Sequence, residues 1–268
     1  MTLPWAEVIG DPIAHSRSPA IHRFWLDALG LSGEYRATRV TRGELRAFIA
    51  ARCADPDWRG CNVTMPLKLD ALLLADQTSD LAAAAGAANL LFMRDGQLLA
   101  ANTDIGAVAR LLEPIAKKGS AITLLGNGGA ARAVLVALRL IGRFDVTIQS
   151  RDLAEARKLS VEFGTGHAPA SFDTPVTSAG LVNATPLGMV GHPPFDLDIG
   201  GMPADGWVMD MVTDPAPTRL ADEAGARGLT VIDGLQILVE QAASSFELLF
   251  GKAPPRERDA ELMARLRS

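Results

Sequence analysis

The densest chemical signal in the chain is Gly-Asn-Gly-Gly-Ala-Ala at positions 126 to 131. An apolar run, Ile122 to Leu125, precedes it, a helical pattern from Arg132 to Leu140 follows, and a second apolar run comes at Val146 to Gln149. Strand, glycine turn, helix and strand within about thirty residues is the context of a dinucleotide fingerprint. Glycine permits a tight turn and close approach of the backbone to a pyrophosphate. The start of the next helix then offers unpaired N–H groups and a partial positive charge. The spacing is Gly-x-Gly-Gly, with Ala131 near the third small position, and the flanking pattern favours nucleotide binding over a merely structural turn. Two other polar positions stand out. Asp104 precedes a helical stretch and has the type of an N-cap. Gln241 lies on a largely apolar helix side with Leu238, Ala242, Ser245 and Leu249, so it is either a rim residue touching water or a ligand contact. His15, His22, His167 and His192 show no metal spacing. Cys53 and Cys61 alone make no zinc site and read as reduced thiols.

These groups must be positioned by alternating strands and helices. Ala6 to Gly10 reads as a strand, and Ser18-Pro19 as a cap before a helix carrying Ile21, Phe24, Trp25, Ala28 and Leu29 that stops at Gly30. Tyr35 to Val40 reads as a second strand. Thr41 and Glu44 have capping-box spacing ahead of a helix with Leu45, Phe48 and Ile49. Gly60 to Thr64 reads as a strand end, followed by Pro66 and a helix through Leu74. Leu90 to Arg94 and Gln97 to Ala101 flank Asp95-Gly96, a strong hairpin signal. Beyond residue 150 the pattern predicts helices over 152–163, 217–227 and 236–250, with strands over 180–184, 206–211 and 229–232. Such alternation predicts an α/β layer structure.

A length of 268 residues fits two domains, and 48% hydrophobic with 21% charged residues is globular composition. Twenty-six basic against 31 acidic residues give a net charge of -5, so nucleic acid is not an expected partner. No apolar run approaches the roughly 18 residues of a membrane span, and the start of the chain lacks the features of a signal peptide. A cytoplasmic protein is the expectation.

Six stretches, taken together and in order, resemble the shikimate dehydrogenase family, including its quinate/shikimate relatives. They are residues 10–19 (GDPIAHSRSP), 62–68 (NVTMPLK), 102–104 (NTD), 126–130 (GNGGA), 183–185 (NAT) and 234–241 (GLQILVEQ). The resemblance implies an N-terminal α/β substrate domain over 1–104, a C-terminal Rossmann dinucleotide-binding domain over 105–236, and C-terminal helices over 237–268 returning to the first. It implies reversible hydride transfer between a nicotinamide and a cyclic hydroxy acid. Carried over, Ser16 and Ser18 would bind the substrate carboxylate, Thr64, Asn89, Asp104 and Gln241 the ring hydroxyls, and Lys68 with Asp104 would form the catalytic pair. Thr213 would also lie at the substrate. Gly126, Asn127, Gly128, Gly129, Ala130, Ser150, Arg151, Asp152, Asn183, Thr185, Met211 and Gly234 would contact the cofactor. The types suit the chemistry, because a carbinol loses hydride only if its hydroxyl proton also leaves, which an amine beside a carboxylate can manage.

Two departures bear on specificity. NADP-preferring members commonly have Asn-Arg-Thr where this chain has Ser150-Arg151-Asp152, and Glu155 stands where a second arginine would be. A carboxylate there accepts a hydrogen bond from a free ribose hydroxyl and repels a 2′-phosphate, so NAD is expected, with NADP the alternative through Arg151. Thr213 occupies a position usually held by tyrosine in shikimate-specific members, which leaves quinate or a substituted analogue open. A metabolite- or nucleotide-binding relative with little or no turnover is the alternative function. A monomer or homodimer is expected.

Overall fold

In a computed structural model, residues 3–142 and 145–268 are described. The chain divides into two compact units, Met1–Asp104 with Leu238–Ser268, and Ile105–Ile237.

Unit one contains β1 (Trp5–Gly10), α1 (Ser18–Ala28), β2 (Glu34–Arg39), α2 (Leu45–Cys53), β3 (Trp58–Val63), α3 (Lys68–Leu72), β4 (Gln77–Thr78), α4 (Asp80–Ala85), β5 (Leu90–Arg94) and β6 (Gln97–Ala101). They form one sheet in the order β2-β1-β3-β5-β6-β4. Every residue of β1 is buried, as for a strand covered on both faces, whereas β2 at the edge is largely exposed and charged. Side chains alternate across the sheet with the period of two that a strand imposes. Trp5 and Ile9 join Leu45, Ile49, Trp58 and Leu67 on one face. Ala6 and Val8 join Tyr35, Leu90, Phe92 and Leu249 on the other.

β1, β2 and β3 run parallel, while β5 is antiparallel to β3 and β6 antiparallel to β5. The β5–β6 turn is Asp95-Gly96 with φ of 52° and 75°, the left-handed pair that a two-residue hairpin demands. This reversal has a positional consequence. The C-terminal ends of β1, β3 and β6 and the N-terminal end of β5 all reach the same edge of the sheet. Residues 11–18, 64–68, 89 and 102–104 therefore share that edge.

Two local expectations are corrected. Ser18 does not cap α1. It is the first helical residue, Arg17 holds the cap position without its side chain capping the helix, and Pro19 takes the second. Thr41 and Glu44 form half of a capping box: the Glu44 carboxylate accepts from the Thr41 N–H at 2.8 Å, but α2 begins only after Glu44.

Unit two is bounded by α5 (Thr103–Leu112), which begins at the unit boundary, and contains β7 (Ile122–Leu125), α6 (Gly129–Leu140), β8 (Val146–Gln149), α7 (Leu153–Phe163), β9 (Gly180–Asn183), β10 (Trp207–Asp210), α8 (Arg219–Ala226) and β11 (Thr230–Ile232). The sheet is all parallel in the order β11-β10-β9-β7-β8. Two isolated parallel bridges, Val146 to Gly166 and Gln149 to Ala170, continue it beyond β8. Counting that segment as the third strand, the order is 3-2-1-4-5-6, the doubly wound arrangement whose direction of winding switches between β7 and β9. Helix α9 (Gly234–Phe250) then leads out of unit two, and α10 (Asp259–Arg267) closes the chain within unit one.

Candidate active site

In unit one the shared sheet edge carries a cluster of buried polar side chains. Lys68 opens α3, just after the turn that leaves β3, and its Nζ donates to Asp104 Oδ2 at 2.6 Å. Both side chains are mostly buried, 16% and 8% exposed, so the pair sits at the surface of the unit's interior with a small opening to solvent. Asn89, directly before β5, donates from Nδ2 to Asp104 Oδ1 at 2.8 Å and to Thr103 Oγ1 at 2.9 Å. Its Oδ1 accepts the Thr103 backbone N–H at 2.7 Å. That last bond fixes which way the amide faces, because the reversed amide would set its NH2 against the Thr103 N–H and its oxygen against the Asp104 carboxylate. Asp104 is thus held by an amide on one oxygen and an ammonium on the other.

A second layer lies behind. Thr103 Oγ1 is 3.1 Å from Ser245 Oγ and 3.3 Å from Gln241 Oε1. Ser245 also receives Asn62 Nδ2 at 2.8 Å, and the Tyr35 hydroxyl donates to Asn62 Oδ1 at 2.7 Å. Burial pushes the Tyr35 phenol well above its ordinary pKa, helped by Cys61 and Glu7, so it stays a neutral donor. Gln241 and Ser245 are one turn apart on α9, and the Gln241 amide nitrogen donates to Leu238 O at 2.9 Å. Gln241 is 7% exposed, which removes the rim reading and makes it a partnered interior residue. Thr103, Asn62, Ser245 and Tyr35 had no assigned role in the sequence. The helical period did place Ser245 beside Gln241, and that was the one available signal.

Gly10 brings this edge together, since a Cβ there would stand 2.8 Å from Met65 O. Main-chain bonds from Thr64 to Ile9 and from Asp11 to Met65 seal the contact and set half-buried Thr64 beside the loop that carries Ser16 and Ser18. Ser16 Oγ accepts the Ser18 N–H at 3.3 Å, which leaves its own O–H hydrogen available to an external acceptor. Ser18 is buried and Ser16 half-buried. No bond joins these serines to the Lys68 cluster among the described residues.

In unit two the candidate cofactor residues follow the C-terminal ends of the parallel strands. Gly126 leaves β7 at a φ of 104°, and a Cβ there would lie 3.0 Å from Thr185 Cγ2 and 3.1 Å from Ala184 O, so position and conformation both call for glycine. Gly128 caps α6 without a side chain, and an added Cβ would meet no protein atom within 4 Å. Protein packing therefore gives no reason for a glycine at 128, whereas close approach of a ligand to the helix start does. Half-buried Asn127, Gly129 and Ala130 complete that turn. This cradle, at the switch point of the sheet, fits a dinucleotide.

After β8, Ser150 is buried and its Oγ accepts the Asp152 N–H at 3.1 Å, while Arg151 is exposed. Asp152 caps α7, its Oδ1 accepting from the N–H groups of Ala154 and Glu155 at 3.1 and 3.0 Å. After β9, Asn183 is fully buried and spends its side chain internally. It donates to Asp210 Oδ1 at 2.9 Å and accepts from the Thr185 hydroxyl at 2.6 Å, shaping the loop on which Thr185 sits. Burial raises the Asp210 carboxyl pKa against the pull of bonds from Thr218, Val212 and Asn183. Met211 and Thr213, both half-buried, follow β10, and Gly234 is pressed against the Val212 carbonyl where α9 starts. Among the described residues no group of three His, Cys, Asp or Glu could hold a metal ion, and no helix is long and apolar enough to cross a membrane.

Comparison with known proteins identifies the family. Residues 8–91 match the shikimate dehydrogenase substrate binding domain, and residues 234–263 the shikimate 5′-dehydrogenase C-terminal domain. The chain is 47% identical, over 98% of its length and 97% of the relative's, to a shikimate dehydrogenase (NADP(+)) of Sphingopyxis alaskensis. Among solved structures it resembles shikimate 5-dehydrogenase of Thermus thermophilus in complex with NADP(H) and shikimate, at 34% identity and a TM-score of 0.87, covering 98% of this chain and 100% of that one. It also resembles quinate dehydrogenase of Corynebacterium glutamicum in complex with NAD, at 28% identity and a TM-score of 0.83, covering 98% and 99%. The alternative of a binding protein without turnover has no counterpart among these relatives. An amine and a carboxylate held together in one α/β unit, a glycine cradle in a doubly wound second unit and this extent of likeness place the chain in the shikimate dehydrogenase family, as an oxidoreductase that uses a nicotinamide dinucleotide.

Proposed function

We propose that the chain interconverts a shikimate-type cyclic hydroxy acid and its ketone, with Lys68 as the acid/base and Asp104 as its partner. The observation that carries this reading is the 2.6 Å contact between Lys68 and Asp104, with Asn89 holding the carboxylate from its other side. A dinucleotide whose pyrophosphate is held by the Gly126–Ala130 turn would supply its nicotinamide as the hydride acceptor or donor. In oxidation the substrate hydroxyl releases its proton to Lys68 Nζ as the carbon loses hydride. In reduction the ammonium returns that proton to the developing alkoxide. Asp104 pairs with the amine and keeps its nitrogen aimed. Its remaining lone pairs, with Thr64 and Gln241, can accept ring hydroxyls. The hydroxyls of Ser16 and Ser18 suit the carboxylate of the acid.

Lys68→Ala should lower kcat by about 10²–10⁴-fold in both directions of the reaction. Retention of the rate in the variant would remove Lys68 from the role. The substrate panel is shikimate, quinate and substituted analogues, each with NAD and NADP. Shikimate leads because the Sphingopyxis and Thermus relatives carry that name, and Thr213 is the reason quinate is the second arm. For the cofactor, the carboxylates of Asp152 and Glu155 favour NAD. Asp152 already occupies the start of α7, where a 2′-phosphate would seek free N–H donors. The NADP reading draws on the exposed Arg151 and on the NADP(+) of the Sphingopyxis relative's name. The ratio of kcat/KM for the two cofactors decides between them.

A further inference from the structure

We propose that the C-terminal helix α10 acts as a clamp on the acid-binding loop, with Arg17 as the positioning residue that joins the two; this rests on the reading that Ser16 and Ser18 hold the substrate carboxylate. Arg17 stands between those serines and is the residue from which α1 starts. Its Nη1 donates to the main-chain carbonyl of Leu266 at 2.8 Å, across 249 positions of sequence. Leu266 lies in the last turn of α10, where carbonyls lack intrahelical partners and carry partial negative charge. A guanidinium on such a carbonyl is a charge-assisted bond.

The rest of the seam keeps α10 in register with α1. The Phe24 ring on α1 is faced by the guanidinium of Arg258 at 4.8 Å and that of Arg265 at 5.0 Å. Leu262 and Leu266 are buried. In the 3-10 turn just before α10, Arg256 bridges Asp259, the first residue of that helix, at 2.7 Å and Glu240 at 2.6 Å. Glu240 directly precedes Gln241 on α9. One short helix is therefore tied at its beginning to the neighbour of Gln241 and at its end to the residue between Ser16 and Ser18. The loop is anchored at its start, where Asp11 N–H bonds Met65 O and its carboxylate pairs with Arg39, but between there and α1 its bonds are a turn bond from Ser16 N–H to Ile13 O and the long 3.3 Å bond between the serines. Two hydroxyls grip a carboxylate well only if their separation is set beforehand, and the tie to Leu266 sets it.

The test compares the full chain with Arg17→Ala, Arg17→Lys, a chain ending at Arg265, and Arg17→Ala in that shortened chain. Melting curves establish that each is folded. Arg17→Ala and the shortened chain should each raise KM for the acid roughly three- to tenfold, with kcat within about twofold and the nicotinamide KM unchanged. Combined, they should raise it no further, as two removals of one contact do. Arg17→Lys should restore most of the loss. Without any substrate, amide hydrogen exchange over residues 13–20 should accelerate in Arg17→Ala. A KM rise in Arg17→Ala with none in the shortened chain would make Arg17 a ligand of the carboxylate itself and overturn the clamp. So would unchanged exchange in Arg17→Ala. Ser16→Ala serves as the separate control: if it leaves KM unchanged while Arg17→Ala accelerates exchange, the carboxylate assignment fails and the mechanical tie stands.

Discussion

At the scale of single residues, the reactive pair is held by what stands behind it. Lys68 and Asp104 were named from the motifs that contain them, because residue type and spacing alone left Lys68 indistinguishable from a solvated lysine. The supporting side chains were not legible, since their partners lie far away in sequence: Asn62 bonds Ser245 across 183 positions. Ser245→Ala tests that support. It leaves the Asn62 amide and the Thr103 hydroxyl each short of a buried partner, a loss of about 1–3 kcal/mol of stability, read from the denaturant midpoint. By freeing Thr103, and through it Asn89, it should also lower kcat by roughly tenfold while KM changes little. Full activity in a destabilised variant would show that Ser245 serves folding alone.

Elements were legible where local chemistry is distinctive. Asp95-Gly96 announced the β5–β6 hairpin, and the reversal it causes brings Asn89 and Asp104 to the edge where Lys68 stands. Alanine-rich α4 gave no contrast between faces, so no periodicity could reveal it, and the outermost strand of unit two is reduced to two bridges too sparse for a strand pattern. Ser18 falls in the first turn and not at the cap because a serine before proline suits both places. The start of α7 carries the cofactor question. Asp152→Thr would keep a capping oxygen while removing one negative charge. At about 4 Å and an effective dielectric of 20 to 80, that charge opposes a phosphate by roughly 1–4 kcal/mol per unit charge. The variant should shift the NADP-to-NAD ratio of kcat/KM upward by about tenfold or more, measured with the same acid substrate. An unmoved ratio would assign cofactor choice to other residues.

At the scale of the whole molecule, His22 is an acid-sensitive weakness. His22 is fully buried, stacked on Tyr35 with ring centroids 3.8 Å apart, and neither of its nitrogens has a hydrogen-bond partner. Burial lowers its pKa from 6.5 to about 3. Between those values the unfolded chain binds a proton that the folded one does not, so stability is complete above pH 6.5 and falls as the pH drops toward 3. Near pH 4.5 this one group should cost about 2–3 kcal/mol. His22→Phe should flatten the acid limb of a stability-against-pH curve measured by chemical denaturation, and an unchanged limb would place the sensitivity in the carboxylates.

Unit one is assembled from two stretches of sequence, Met1–Asp104 and Leu238–Ser268, with the whole of unit two inserted between them. On the ribosome the inserted body is therefore synthesised in full before Gln241, Ser245 and the closing helix emerge. The first stretch must wait, with its polar edge unfinished, while a complete parallel sheet forms downstream. A nascent chain arrested before residue 238 should hold a finished nucleotide fold attached to an incomplete partner, and the segment made after unit two is the one that completes the reactive centre.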